Sequence, residues 1–273
     1  MMKISESTQL GCSTPNTYNV IIELMSREPR GKVLDIGTGA GRFASKLATM
    51  GFDIFCCDIT DEAFEVKNLP FEKVNLNKKL PYSDHYFNFV TAVEVIEHLE
   101  STNRILREVN RILVPEGKFL FSTPNNFSFL SRVHYLLYGW PGSFGSLHDW
   151  LSDKIEEIED IGHINPINYP ILQDLIEKYG FEVENLSANR LKYTTALCPL
   201  SKITRMICTF FTKLHSKNLP FAKLLEMSEA SYKKNEKTFS QKELLFGETL
   251  IMLLKKVRNL EGIYESEMIM KND

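Results

Sequence analysis

The stretch VLDIGTGAGRFA, residues 33–44, restricts the fold of this chain more than any other. Three glycines at alternate positions, Gly37, Gly39 and Gly41, follow a short apolar run typical of a buried strand, and a segment with helical apolar spacing follows them. Glycine permits the backbone conformations that a tight turn between strand and helix requires. The pattern therefore predicts a strand, a glycine turn and a helix, with a ligand lying against the turn.

Short apolar runs alternate with helical patterns along the chain. They are short, rich in β-branched or aromatic residues and bounded by turn residues, as strands are. The predicted strands cover 32–37, 52–59, 71–76, 87–93, 117–123, 181–188 and 248–257. This alternation indicates an α/β protein with a parallel sheet and helices on both faces, and such sheets bind ligands at the carboxyl ends of their strands.

Three helices are predicted between these strands. The first follows the glycine turn and stops at Gly51, a natural C-terminal cap. The second contains an apolar stripe that includes Leu113, and Pro115 ends it. The third covers 168–180, with Asn168 as its N-terminal cap.

Length and composition indicate a globular chain. Its 273 residues are 43% hydrophobic and 25% charged, enough to bury a sizeable core in a single domain of 1–273. A formal charge of −3 gives no overall reason to expect a nucleic-acid partner. The five cysteines include no Cys-x-x-Cys pair, and no apolar run approaches the roughly 18 residues of a membrane span. We therefore expect a soluble, cytoplasmic protein, whose oligomeric state the sequence leaves open.

The chemistry of the glycine turn leaves two kinds of ligand open. No Gly-Lys-Ser/Thr follows, so the turn is not a phosphate-binding P-loop. Counted from Gly39, the residues GAGRFA still fit the looser dinucleotide pattern, so a nicotinamide cofactor is an alternative. Asp35 would repel a pyrophosphate and attract a ligand that carries an ammonium and a sulfonium group. Asp58, at the end of the next strand, is placed to accept hydrogen bonds from ribose hydroxyls in either case.

These residues resemble the class I S-adenosylmethionine-dependent methyltransferases. VLDIGTGAG is similar to the first motif of that family, and CDIT to its ribose-binding segment. VNLNKKLPYSDHYFNFV is similar to the adenine segment, and AVEVIEHL with REVNRILVPEGKFLFSTPN to the fourth and fifth strands. The likeness runs from about residue 17 to 125 and resumes at 162–183 and 246–256. It implies a Rossmann-like, mostly parallel sheet of seven strands whose last strand is antiparallel.

The resemblance also implies S-adenosyl-L-methionine as the cofactor and suggests the residues that bind it. Asp35, Gly37 and Gly39 would hold the methionine part, Asp58 the ribose, and Asn75, Leu76 and Val93 would border the adenine; Thr38, Gly41 and Ile59 complete the set. The chain departs from many relatives at Asn75, where they carry Asp. An amide can still pair with adenine through its oxygen, although a role as a strand-end cap is an equal alternative.

Two histidines are the candidates for a catalytic role. If EVIEHL is helical, Glu94, Glu97 and His98 share one face and could hold a metal, or His98 could act as a general base. No residue nearby has the spacing of a further ligand, so we expect no metal. His163 precedes the helix at 168 in a loop that relatives place beside the substrate pocket, which makes it the second candidate.

Two segments interrupt the pattern of the core. The first, 127–162, is rich in aromatic residues and is interpreted as a lid or acceptor wall, or as a small helical subdomain. The second, 197–245, carries a basic amphipathic stretch at 200–215. That stretch would either contact the inner face of a membrane or pack on its own domain.

The sequence therefore favours methyl transfer to a small-molecule acceptor, with oxygen as the preferred atom. A lipid-linked or saccharide acceptor at a membrane surface is the variant. The alternatives from other classes are a nicotinamide-dependent oxidoreductase and a non-catalytic protein that binds the cofactor.

Overall fold

The computed structural model describes residues 16–139, 163–191, 206 and 241–260. In these ranges seven strands form one sheet: β1 Lys32–Ile36, β2 Asp53–Asp58, β3 Phe71–Lys73, β4 Phe87–Val93, β5 Leu113–Pro124, β6 Phe181–Ala188 and β7 Thr249–Lys256. The strand order is β3-β2-β1-β4-β5-β7-β6. Only β7 runs antiparallel to its neighbours, β5 and β6. The predicted seven-stranded sheet with an antiparallel last strand is confirmed.

Helices cover both faces of this sheet. The described helices are α1 Thr17–Ser26, α2 Arg42–Thr49, α3 Thr102–Ile112, α4 Phe129–Tyr138, α5 Tyr169–Lys178 and α6 Lys242–Phe246, with a 3-10 turn at Ile96–His98. Neighbouring residues of β1 point to opposite faces, as in any strand. Val33 therefore joins a core with α1 and α2, while Leu34 joins a second core with α3 and α5. Burial of apolar side chains on both sides holds the carboxyl ends of the parallel strands in fixed positions.

The predicted boundaries of three elements, α3, β5 and β3, were wrong. Helix α3 ends at Ile112, and Leu113 belongs to β5, where it pairs with Phe87. Pro115 lies inside an irregular stretch of β5, next to Glu116 with a φ of +64°. Strand β3 ends at Lys73, three residues before the predicted end at 76. The chain turns at Asn75, whose side-chain oxygen accepts the Asn77 amide.

Other predicted boundaries agree with the structure. The side chain of Asn168 accepts a hydrogen bond from the Ile171 amide, which is the expected cap of α5. Helix α2 ends before Gly51, whose φ is +92°.

Much of both predicted insertions lies outside the described residues. Helix α4 begins the segment 127–162, but residues 140–162, with both tryptophans, are not described, nor is 200–215 apart from Met206. Among the helices that are described, none combines the length and hydropathy needed to span a bilayer.

Candidate cofactor site

The turn between β1 and α2 contains three glycines in the left-handed backbone region and is anchored on β2. Gly37, Gly39 and Gly41 have φ angles of +66°, +51° and +78°, which L side chains rarely adopt. The amides of Gly37 and Thr38 both donate to the Cys57 carbonyl, at 2.9 and 3.2 Å. The three glycines therefore let the chain reverse tightly at the carboxyl end of β1.

The three glycines differ in what surrounds them. A Cβ at Gly37 would lie 2.5 Å from Cγ2 of Val95, and one at Gly41 would lie 2.6 Å from Cε2 of Phe64. A Cβ at Gly39 would meet nothing within 4 Å. Packing inside the protein therefore accounts for two glycines, whereas Gly39 faces open space in which a ligand can approach the backbone.

Asp58 lies beside that open position. At the end of β2, its Oδ2 accepts the Gly39 amide at 2.8 Å and its Oδ1 accepts the Ile59 amide at 2.7 Å. Each carboxylate oxygen has a second lone pair, so the group can also accept hydrogen bonds from a pair of vicinal hydroxyls. The site therefore supplies the hydrogen-bond acceptors that the hydroxyls of a ribose require.

Asp35 is directed into the protein, not towards the open turn. It is 3% exposed, and its oxygens accept hydrogen bonds from the hydroxyls of Thr38 at 2.6 Å and Thr91 at 2.7 Å. Burial raises its pKa to about 6, and the nearby charge of Asp58 adds to that effect. When Asp35 is ionised, its negative electrostatic field favours a cationic ligand at the turn. Its hydrogen bond with the Thr38 hydroxyl also positions Thr38.

The remaining predicted cofactor residues lie on neighbouring segments of the same edge. Ile59 is 48% exposed directly after Asp58, a surface that suits an aromatic ring, while Leu76 is buried and Val93 half-buried. Asn75 uses its side-chain oxygen to accept the Asn77 amide at 2.9 Å. That oxygen therefore already stabilises a turn, as the cap interpretation of Asn75 predicts.

The segment after β4 is not the helix that the spacing of Glu94, Glu97 and His98 allowed. Glu94 has a φ of +56°, and only Ile96–His98 form a 3-10 turn. The Glu94 carboxylate turns to β5, where it accepts a hydrogen bond from the Ser122 hydroxyl at 2.6 Å. Burial raises the pKa of Glu94 to about 7.

His163 completes a cluster with the 3-10 turn. The rings of His98 and His163 are nearly perpendicular, with centroids 4.8 Å apart. Asn165 holds the two segments together, since its amide donates to the Glu97 carbonyl at 2.9 Å and its side chain to the Thr102 hydroxyl at 2.7 Å. Because Val95 contacts Gly37, this cluster adjoins the glycine turn.

Glu97 is the deepest member of the cluster. Its side chain has no exposed surface, and burial together with the charge of Glu94 raises its pKa well above the usual range.

From the sequence, His98 and His163 were separate candidates, because no spacing in the chain relates them. Asn165 is the residue that sequence reasoning missed, and no local pattern marks it.

Comparison with known proteins identifies the surrounding fold. The family model described as "Methyltransferase domain" matches residues 16–186. A methyltransferase of Archaeoglobus fulgidus that depends on S-adenosylmethionine superposes with a TM-score of 0.53 at 17% identity, covering 87% of this chain and 91% of that one. At this identity the superposition shows a shared fold.

Two curated relatives are similar to this chain over about half its length. The glycine/sarcosine/dimethylglycine N-methyltransferase of Actinopolyspora halophila is 27% identical over 175 residues, 55% of this chain and 30% of the relative. The ubiquinone/menaquinone biosynthesis C-methyltransferase of Shewanella frigidimarina is 26% identical over 180 residues, 59% of this chain and 70% of the relative. This chain therefore matches less than a third of the N-methyltransferase, so the relatives share the domain without fixing the acceptor.

Proposed function

This chain belongs to the methyltransferase-domain family, and we propose that, within this family, it methylates an oxygen atom of a small-molecule acceptor. Family and fold make it an S-adenosylmethionine-dependent methyltransferase. The open Gly39 beside the Asp58 carboxylate fits that cofactor, and membership in this family replaces the nicotinamide alternative. The acceptor and the methylated atom are the part that the family leaves open.

The His98–His163 pair carries the proposal of an oxygen acceptor. S-adenosylmethionine supplies a methyl group already activated on a sulfonium, so the protein has to align the acceptor and, for a hydroxyl, remove a proton. Imidazole is the side chain best suited to take that proton near neutral pH. Two imidazoles adjoining the glycine turn through Val95 are therefore more useful to a hydroxyl acceptor than to an amine, which attacks with its own lone pair.

The proposed reaction needs one proton acceptor and one aligned oxygen. A ring nitrogen of His98 or His163 takes the hydroxyl proton while the oxygen forms a bond to the methyl carbon. The bond from that carbon to sulfur breaks, and its electron pair stays on sulfur to give S-adenosylhomocysteine. The products are a methyl ether and a protonated imidazole, which loses its proton to water.

An acceptor survey tests this proposal. The purified protein is incubated with S-adenosylmethionine that carries a labelled methyl group and with acceptors that offer a hydroxyl, an amine or a nucleophilic carbon. The labelled products are identified by mass spectrometry. We expect label on oxygen, and His163→Gln should lower kcat by about 100-fold without changing the affinity for S-adenosylhomocysteine. His85→Gln, before the amino end of β4 and therefore at the edge of the sheet opposite the glycine turn, is the matched control. Label confined to nitrogen or carbon, as in the reactions for which the two relatives are named, would overturn the proposal.

A lipid-linked acceptor is the second candidate, and the end of α4 favours it. Tyr135, Leu136, Leu137 and Tyr138 are 60–83% exposed, an unusual run of apolar surface. Vesicle co-sedimentation of the wild type and a Leu136→Glu, Leu137→Glu variant tests this candidate. Pelleting of the wild type that is lost in the variant supports a membrane-bound acceptor, and equal behaviour of both removes it.

A further inference from the structure

Three potential ligand side chains converge where the loop before α5 meets the 3-10 turn. Glu97, His98 and His163 each offer one oxygen or nitrogen atom, and these atoms all lie within 4.8 Å of one another. Bonds of about 2.0–2.2 Å to a shared metal ion would hold such atoms about 3 to 4 Å apart. Small side-chain rotations therefore suffice to bring all three onto one ion.

The position of Glu97 is an independent sign that something binds here. Its side chain is fully buried, and within the described part of the chain neither carboxyl oxygen has a hydrogen-bond partner of good geometry, although the nearby Thr123 hydroxyl lowers its pKa. A buried carboxyl group without a partner is costly, so native proteins normally satisfy such groups with a hydrogen bond or a cation. Two imidazoles lie beside Glu97 in this cluster, so a metal ion held by all three side chains would satisfy the carboxylate.

We propose that Glu97, His98 and His163 form a binding site for a divalent first-row transition metal ion. Two imidazoles and one carboxylate are the ligand set of many zinc and non-haem iron sites. Magnesium and calcium prefer oxygen ligands throughout, so the two nitrogen donors favour zinc, cobalt or iron over either of them. The sequence did not predict this site because the third ligand comes from a distant loop.

The site has room to act on an acceptor. Three protein ligands leave at least one coordination position of the ion open, which is the arrangement of catalytic metal sites. This step rests on the proposed function. With His98 and His163 bound to the ion, the ion would replace them in activating the acceptor: it would lower the pKa of the bound hydroxyl, whose proton would pass to water, and would hold the oxygen beside the glycine turn. The acceptor class would then be a hydroxyl compound with a second oxygen able to chelate the ion.

Metal titration of the whole, tag-free chain tests the site without any need for an acceptor. Chelator-treated protein is titrated with Co²⁺ by calorimetry and by visible absorption, and Zn²⁺ and Mg²⁺ are compared by thermal shift. We expect one equivalent of Co²⁺ with a visible band, a stabilising shift with Zn²⁺, and no shift with Mg²⁺. Glu97→Gln and His163→Gln should each weaken Co²⁺ binding by about tenfold or more.

Controls separate this result from misfolding and from the proposed function. His134→Gln removes an imidazole elsewhere and should leave Co²⁺ binding unchanged. Titration of each variant with S-adenosylhomocysteine reports folding and cofactor binding separately, so loss of the metal site alone leaves the methyltransferase assignment intact. The site would be overturned if the wild type did not bind Co²⁺ stoichiometrically, or if Glu97→Gln and His163→Gln bound Co²⁺ as tightly as the wild type.

Discussion

The Asp58 carboxylate accepts a hydrogen bond from the Gly39 amide at 2.8 Å, across the gap between the end of β2 and the glycine turn. Of the three glycines in this turn, Gly39 is the one at which an added Cβ would meet no atom within 4 Å. Asp58 therefore fixes the backbone at this open position and presents further lone pairs to a ligand that enters it. Recognition of the nucleoside and the shape of the turn depend on the same carboxylate.

Asp58→Asn should weaken S-adenosylhomocysteine binding while the fold is retained. An amide accepts through one oxygen only, so the variant loses charge-assisted hydrogen bonds of about 1.5–3 kcal/mol, roughly 10- to 100-fold in Kd. Calorimetric titration measures the change. Asp53→Asn at the opposite, exposed end of β2 is the matched control and should bind normally. An unchanged Kd for Asp58→Asn would remove Asp58 from the binding site.

The glycines of the turn should separate stability from binding. Gly39→Ala should lower the free energy of unfolding by about 1–2 kcal/mol, the cost of a left-handed alanine, and should also weaken cofactor binding. Gly37→Ala should cost more, because its methyl group would also collide with Val95 at 2.5 Å. Urea denaturation of both variants provides the comparison. If the two variants lost the same free energy of unfolding, the methyl group added at Gly39 would also be colliding with other atoms of the protein in solution.

Asp35 should make stability depend on pH. Its pKa in the folded protein, about 6, lies above the unfolded value of 3.8, so the native state holds the proton more tightly. The resulting stabilisation is complete below pH 3.8 and is lost as pH rises through 6, by about 3 kcal/mol.

Asp35→Asn isolates this contribution. The free energy of unfolding of the wild type minus that of the variant, from urea denaturation, should fall between pH 4 and pH 7. A difference that stays constant across this range would show that the Asp35 pKa is not raised.

Lys256 should stabilise the end of α3. It is 2% exposed, and its ammonium group donates to the carbonyls of Asn110 and Leu113, each at 2.7 Å. Lys256→Met keeps the volume but removes both donors, which should lower the free energy of unfolding by about 2–4 kcal/mol. Lys255→Met, on the neighbouring and more exposed position, should change it by less than about 0.5 kcal/mol. Similar losses in both variants would contradict this role.

The sequence was informative where local pattern and function coincide. The strand, the three glycines and the acid at the end of the next strand are all close in the chain, and each has a direct physical reason. Leu113 was assigned to the helix because it continues the apolar spacing of α3. In the structure it pairs with Phe87 of β4, and this tertiary contact places it in β5. The meeting of His98 and His163 depends on Asn165 and on tertiary packing, which no periodicity encodes.

Titration of the wild-type chain with S-adenosylmethionine, S-adenosylhomocysteine and NAD tests the cofactor assignment most directly. The site geometry predicts saturable, one-to-one binding of both adenosyl ligands and none of NAD, because Asp35 and Asp58 give the turn a negative field. Binding of NAD alone would mean that the turn holds a dinucleotide, and the assignment of a methyl donor would be wrong.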